Sequence, residues 1–128
     1  MIKSFLIAAV FLTSSLFVSA QRELKNPLIN SKEVIAKGIE LHDAKKYKEA
    51  IAEYQKVPAS DTNYADIIHE MVLSYYADSN YVAAEKWVKK GLERFPAKKV
   101  ALMRLLADIY DDTKRIDEAI AVYDSILA

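Results

Sequence analysis

One nine-residue pattern occurs three times in the chain, first as KYKEAIAEY at residues 46–54, then as NYVAAEKWV at residues 80–88 and as RIDEAIAVY at residues 115–123. Its central alanines, Ala50, Ala84 and Ala119, stand 34 and then 35 residues apart. A period of this length is typical of repeat proteins, in which similar units pack on one another in series. The sequence therefore predicts an array of units, and it predicts architecture better than activity.

Apolar residues around each pattern recur at steps of three and four, the spacing of one helix face. Pro58 and Pro96 follow the first two patterns and end them, because proline donates no backbone amide hydrogen bond. Asn30 and Glu33 have the spacing of capping residues before the first helix. The expected fold class is all-α, a solenoid of helical hairpins with about six helices. We expect those helices near residues 31–41, 47–57, 64–77, 81–95, 99–111 and 116–127.

Composition excludes several classes of function. The 18 basic residues are balanced by 18 acidic ones and are interleaved with them, so the basic stripe of a nucleic-acid-binding protein is absent. A hydrophobic fraction of 52% indicates a folded chain and not a disordered one. The sequence has no cysteine, which excludes disulfides, thiolate metal ligands and a cysteine nucleophile.

Residues 1–20 have the pattern of a secretory signal peptide. Lys3 gives a basic start, Phe5–Val18 is uncharged and mostly apolar, and small residues up to Ala20 suit cleavage before Gln21. The alternative is a retained anchor, but this run would reach only about 21 Å against a hydrocarbon core of about 30 Å. We expect an exported protein, periplasmic or secreted, without a stable membrane span after cleavage. Residues 21–30 are expected to be a linker.

Residues 31–128 resemble three tetratricopeptide repeats, which are helix-turn-helix units of 34 residues. The resemblance rests on small residues where the two helices of a hairpin cross: Gly38, Val72 and Ala107, and Ala50, Ala84 and Ala119. It also rests on larger residues expected in the core: Leu41, Tyr75 and Tyr110, Tyr47, Tyr81 and Ile116, and Tyr54, Val88 and Tyr123. The repeats would span about 31–64, 65–99 and 100–128.

The last repeat is expected to be uncapped. The family's arrays usually close with an extra amphipathic helix, because each repeat leaves an apolar face for its neighbour. No such segment follows Ala128 in this sequence, so part of the last helix, including Tyr123 and Leu127, would be uncovered. Either the chain is the front part of a longer envelope protein, or this end face binds another molecule, which includes a second copy of the chain.

The resemblance implies a concave groove lined by the first helix of each hairpin. The candidate peptide-groove residues are Ile35, Ile39, His42, His69, Leu73, Tyr76, Arg104, Asp108 and Asp111. Such a groove would suit a segment with an apolar anchor near Ile39 and Leu73 and a Lys or Arg near the aspartates. Ile35 and Ile39 stand where the family's carboxylate-binding members have Lys and Asn, so carboxylate capture is not expected. The alternative is an ordinary solvated face of mixed charge.

Catalysis is not expected. The sequence has no glycine-rich phosphate loop, serine elbow or HExxH motif. His42-Asp43 and His69-Glu70 place an imidazole beside an acid, but adjacent helical residues point about 100° apart and should not pair. We predict a non-catalytic scaffold, without cofactor or metal, that binds a protein or peptide partner in the groove. The alternative is a structural segment of a larger assembly, or self-association through the C-terminal hairpin.

Overall fold

A computed structural model describes residues 28–128, so the expected signal peptide and most of the linker lie outside the described residues. Within this range the fold is all-α, as predicted, and has no strand. The six helices are α1 (Ser31–Asp43), α2 (Tyr47–Tyr54), α3 (Tyr64–Ala77), α4 (Tyr81–Arg94), α5 (Lys99–Asp112) and α6 (Ile116–Leu127). A short 3₁₀ turn, Pro96–Lys98, precedes α5. The largest difference from the predicted bounds is at α2, which ends three residues before Val57 because residues just before a proline disfavour helical backbone.

The helices pack in series. Within each pair joined by a short turn, α1 contacts α2, α3 contacts α4, and α5 contacts α6. The pairs are connected by contacts of α2 with α3 and of α4 with α5. In addition α3 contacts α1, and α5 contacts α3. Thus α3 and α5 each lie against both helices of the preceding pair, and this arrangement is used twice in the described part of the chain.

Small residues lie where helices cross. Ala50 and Ala84 are fully buried, and Ala119 is 3% exposed. Gly38 on α1 faces the ring of Tyr54 on α2 so closely that a Cβ at residue 38 would stand 2.1 Å from the Cε1 atom of Tyr54. Close approach of helix axes requires small side chains at the crossing. The first pair therefore depends on the absence of a side chain at residue 38.

Of the nine large residues expected in the core, three are buried, four are partly buried and two are exposed. Tyr54 and Val88 are fully buried, and Tyr110 is 6% exposed. Ile116 and Tyr123 differ, because they are 46% and 42% exposed. Both lie on α6, and among the described helices only α5 makes extensive contact with α6. Their expected core position is therefore wrong for this structure, since no helix of residues 28–128 covers that side of α6.

The three turns within the pairs share one backbone conformation. Lys45, Ser79 and Lys114 have positive φ angles of 61°, 58° and 64°. In each turn an amide donates to the carbonyl five residues earlier, at 2.9, 2.9 and 2.7 Å: Lys46 to Leu41, Asn80 to Tyr75, and Arg115 to Tyr110. These bonds and the positive φ form the Schellman motif that closes a helix. The positive-φ residues are 34 and 35 residues apart, the period of the sequence pattern.

Helix starts differ from the expected capping. The Asn30 side chain does not accept from a backbone amide; its Nδ2 donates to Glu33 Oε1 at 2.8 Å. The buried Ser31 instead receives a hydrogen bond from Asn63 Nδ2, just before α3, at 2.9 Å. At α4, Asn80 Oδ1 accepts from the Ala83 amide at 3.2 Å. The start of α1 is thus held by the chain that precedes α3 and not by its own cap.

We expect Gly38→Ala to destabilise the protein. Alanine favours a helix over glycine by about 1 kcal/mol, but the overlap with the Tyr54 ring should cost about 1–3 kcal/mol. The measurement is the free energy of unfolding in urea. Gly91→Ala is the control, because its added Cβ would stand 2.7 Å from Leu102 Cδ1 and 3.0 Å from Ile68 Cγ2, a milder overlap, so its effect should be smaller. A Gly38→Ala protein more stable than wild type would contradict the close packing.

Glycine at Lys45, Ser79 or Lys114 should stabilise the protein. A left-handed backbone costs a non-glycine residue about 1–2 kcal/mol, of which the greater freedom of unfolded glycine offsets about 0.5–1 kcal/mol. We expect each substitution to raise the free energy of unfolding by about 0.5–1 kcal/mol. Ala44→Gly, at φ −76°, is the control and should lower it. Stability that falls in all four variants would show that the turns do not hold this conformation.

Candidate functional site

The predicted groove residues lie on α1, α3 and α5, and several of their polar groups bond to neighbouring helices. His42 Nδ1 lies 2.9 Å from Ser74 Oγ, which joins α1 to α3. The Tyr76 hydroxyl donates to the Asp112 carboxylate, which joins α3 to α5. His42 and Tyr76 were predicted to contact a partner in the groove, but their polar groups bond to other helices of the chain. The structure therefore gives His42 and Tyr76 a role in holding successive helices together.

Other predicted groove residues leave side chains accessible. Ile39 on α1 is 38% exposed. Ile35 on the same helix and Leu73 on α3 are partly buried. Arg104 and Asp111 are exposed. His69 Nδ1 lies 3.4 Å from Glu70 Oε1, so the expectation that these adjacent residues do not pair is wrong, although the contact is long.

The structure brings groove and end-face candidates together in one cleft between α5 and α6. The cleft has a volume of about 340 Å³ and is lined by Arg104, Asp108, Tyr123, Ile126 and Leu127. The sequence analysis placed the first two in the groove and treated Tyr123 and Leu127 as a separate end face. Ile126 was expected only as one of several apolar residues of the partly uncovered last helix, and not as part of a site. The signal for Ile126 was available in the repeat, since the equivalent residues Val57 and Gly91 are both buried.

A hydrogen bond across the cleft fixes its aromatic ring. The Tyr123 hydroxyl donates to Asp108 Oδ1 at 2.9 Å. This bond is the main cause that raises the pKa of Tyr123 above its ordinary value, and partial burial and the charges of Asp108 and Asp111 act in the same direction. Tyr123 therefore stays protonated at neutral pH and acts as a donor. Its ring is held between α5 and α6, with one edge towards solvent.

Exposed apolar side chains follow one line along α6, which we call the α6 stripe: Ile116, Ile120, Tyr123 and Leu127, exposed by 46%, 52%, 42% and 84%. They include four of the nine large apolar residues that are exposed in the described range. Steps of four, three and four residues keep the stripe on one side of the helix. The neighbouring line, with the buried Ala119, packs against α5.

A charged network centred on Glu85 holds the third pair against the second. Glu85 Oε2 on α4 accepts from Arg115 Nη1 at 2.7 Å, and Oε1 accepts from Lys89 Nζ at 2.6 Å. The Arg115 guanidinium also stacks over the Tyr110 ring at 4.1 Å and bonds Glu118. Burial acts to raise the pKa of Glu85, but the hydrogen bonds from Lys89 and Arg115 outweigh it and lower that pKa. The network anchors the start of α6 and thereby the cleft.

Neither a metal site nor a membrane span is found in residues 28–128. No group of three or more His, Cys, Asp or Glu side chains in this range is arranged to hold a metal ion. No helix there is long and apolar enough to cross a bilayer. No protein-family model matches the sequence, and no curated protein matches it significantly. The features of residues 28–128 that suggest a function are therefore the α5/α6 cleft and the α6 stripe.

Glu85→Gln should lower stability in a pH-dependent way. The folded-state pKa of Glu85 is lowered, so its stabilising effect is present above the ordinary glutamate pKa of about 4.3 and is lost as pH falls. At pH 7 we expect a loss of about 1–2 kcal/mol. The difference from wild type should shrink as pH falls through the lowered folded-state pKa of Glu85. Urea unfolding measured across this pH range tests it.

Glu118→Gln serves as the matched control. It removes another carboxylate bonded to Arg115, but Glu118 is 51% exposed. Its effect should be smaller, because exposed ion pairs contribute little. Equal effects of the two substitutions, or an effect of Glu85→Gln that does not change with pH, would contradict the assigned role of Glu85.

Proposed function

We propose that the chain is a non-catalytic interaction scaffold that binds a protein or peptide partner at the α5/α6 cleft and the adjoining groove residues. The observation that carries the proposal is the concentration of exposed apolar side chains on α6, beside a cleft that also offers Arg104 and Asp108. An apolar surface rimmed by polar groups is typical of interaction sites. A groove partner would contact Ile39 and Leu73 as well.

We further propose that residues 31–128 are three tetratricopeptide repeats. Two features support this assignment. The three Schellman turns recur with the 34- and 35-residue period, and α3 and α5 each pack on both helices of the preceding pair. Export to the periplasm or the exterior is proposed from the signal-peptide pattern of residues 1–20. The scaffold would then meet its partner outside the cytoplasm.

Self-association is the second candidate function, or packing within a longer envelope protein. The α6 stripe favours it, because steps of four, three and four apolar residues are also the pattern by which helices pair in coiled coils. In this case the surface would be structural, and the groove residues would take no part in binding. The two candidates differ in which variants affect capture of another protein.

Leu127→Asp should abolish capture of a partner by the full chain in a crosslinking pull-down from the envelope fraction of the source cells. A carboxylate there would place a charge on the apolar edge of the cleft. Val82→Asp is the matched control, because Val82 is 83% exposed on α4 and Leu127 is 84% exposed on α6. Helicity by circular dichroism should be unchanged in both variants.

Ile39→Asp tests the groove in the same experiment. Loss of the partner with both Ile39→Asp and Leu127→Asp would extend the binding site along α1, α3 and α5. Loss with Leu127→Asp alone would restrict it to the cleft. Capture that survives Leu127→Asp contradicts a partner site in the cleft, and crosslinks only between copies of the chain would favour self-association.

A further inference from the structure

We propose that the occupant of the α5/α6 cleft is a basic amphipathic α-helix of a partner protein, docked as α3 and α5 dock within the chain, with a Lys or Arg opposite Asp111. The inference rests on the proposed function and specifies the chemistry of the partner. It follows from three observations: the shape of the cleft, its hydrogen-bonding positions, and its charge.

The shape follows from comparing equivalent residues of the three pairs. Tyr123 corresponds to Tyr54 and Val88, which are fully buried. Each of these two lies on the second helix of its pair, and that helix is contacted by the next pair's first helix, α3 or α5. The contact at α4 is direct, since Gly91 lies against Leu102 of α5. The cleft is therefore a third copy of a surface that the chain covers twice with an α-helix.

The polar positions show where the occupant should carry a donor. His42 and Tyr76, at equivalent places near the ends of α1 and α3, each bond the first helix of the next pair. Asp111 is their equivalent on α5, and its exposed side chain has no hydrogen-bond partner among residues 28–128. A carboxylate only accepts hydrogen bonds, and charged donors make the strongest ones. A Lys or Arg of the occupant would complete the third position.

Charge distinguishes a partner from a second copy packed helix to helix. Beside its apolar stripe, α6 carries Asp117 and Asp124, and it has no basic residue between Ile116 and Leu127. Glu118 lies on another side of the helix and is paired with Arg115. Two α6 helices brought together would therefore face one another with like charges. A basic helix is electrostatically complementary to the same surface. Arg115 is paired with Glu85 and Glu118. Arg104 is the one basic residue of the described range that lines the cleft, and Asp108, Asp111 and Asp124 outnumber it.

The α1 helix of a second copy is also unsuited to dock on the cleft in the way that α3 and α5 dock on the preceding pair. The faces of α3 and α5 that dock on the preceding pair include Ile67 and Met71, and Leu102 and Leu106, all nearly or fully buried. The equivalent residues of α1 are Glu33 and Lys37, both exposed. A charged α1 face would not displace water from the apolar cleft at a favourable free energy.

The docked helix α5 supplies the residue pattern of the probe, whereas on α3 the polar contact, Ser74, stands at i+7 from Ile67. On α5, Leu102 and Leu106 are followed by Ile109, and Asp112 accepts the hydrogen bond from the Tyr76 hydroxyl. Apolar residues thus stand at i, i+4 and i+7, and the polar contact stands at i+10. The probe is a synthetic peptide of roughly 18 residues, long enough to form a helix, with Leu at the first three places, Lys at i+10 and Lys on its solvent side. The comparison peptide has Glu in place of every Lys.

The experiment measures binding of each fluorescein-labelled peptide to the full chain by fluorescence anisotropy. We expect the Lys peptide to bind roughly tenfold or more tightly than the Glu peptide, with a difference that shrinks at high salt. Asp111→Lys should reduce or reverse this preference, and Asp111→Asn should reduce it. Leu127→Asp should abolish binding of the Lys peptide, and Val82→Asp should leave it unchanged.

Several outcomes would overturn the inference. These are equal affinity for the two peptides, no binding of either, and a charge preference that neither Asp111 substitution reduces. Sedimentation velocity that shows a dimer broken by both Leu127→Asp and the Lys peptide would assign the cleft to a second copy. If Leu127→Asp removes the captured partner while peptide charge has no effect, the proposed function stands and the basic helix does not.

Discussion

The structure depends on the close approach of helices at positions that have almost no side chain. Ala50, Ala84 and Ala119 are buried at one such crossing in each pair, and Gly38 allows the Tyr54 ring to lie against α1. Larger side chains there would separate the helices and expose the apolar residues packed around them. Because this crossing recurs, the chain builds one packing arrangement three times, and the Schellman turns bring each pair of helices back onto itself.

A series of packed helices has two ends, and the exposed residues at the two described ends differ in polarity. The outer side of α1 carries exposed Glu33 and Lys37, whereas α6 exposes Ile116, Ile120 and Leu127. Within residues 28–128 the outer face of α1 is therefore charged, although Leu28 and Ile29 just before it are exposed, and the exposed line on α6 is apolar. The Glu85 network ties the start of α6 to α4, so the position of α6 follows from its packing on α5 and from these partly exposed ion pairs.

Much of the fold and part of the site followed from the repeat. The helix bounds agree closely because apolar spacing and prolines act locally. Arg104, Asp108, Tyr123 and Leu127 were each identified from their positions, but their convergence in one cleft was not. The bonds of His42 and Tyr76 to neighbouring helices were also missed, since a polar side chain on a helix face has several neighbours in reach and only packing selects among them.

The sequence by itself determined the all-α class, the number of helices and the period at which they pair, because these depend on local backbone preferences and on the spacing of apolar residues. The sequence also predicted that Tyr123 and Leu127 would be uncovered, and only the tertiary structure decided how far each apolar residue is covered. Tyr123 has the repeat position of the buried Tyr54 and Val88, yet it is 42% exposed. Ile116 has the position of the partly buried Tyr47 and Tyr81, and it is 46% exposed. A residue on a helix surface is buried only when another helix packs against it. No further helix in residues 28–128 packs against this side of α6.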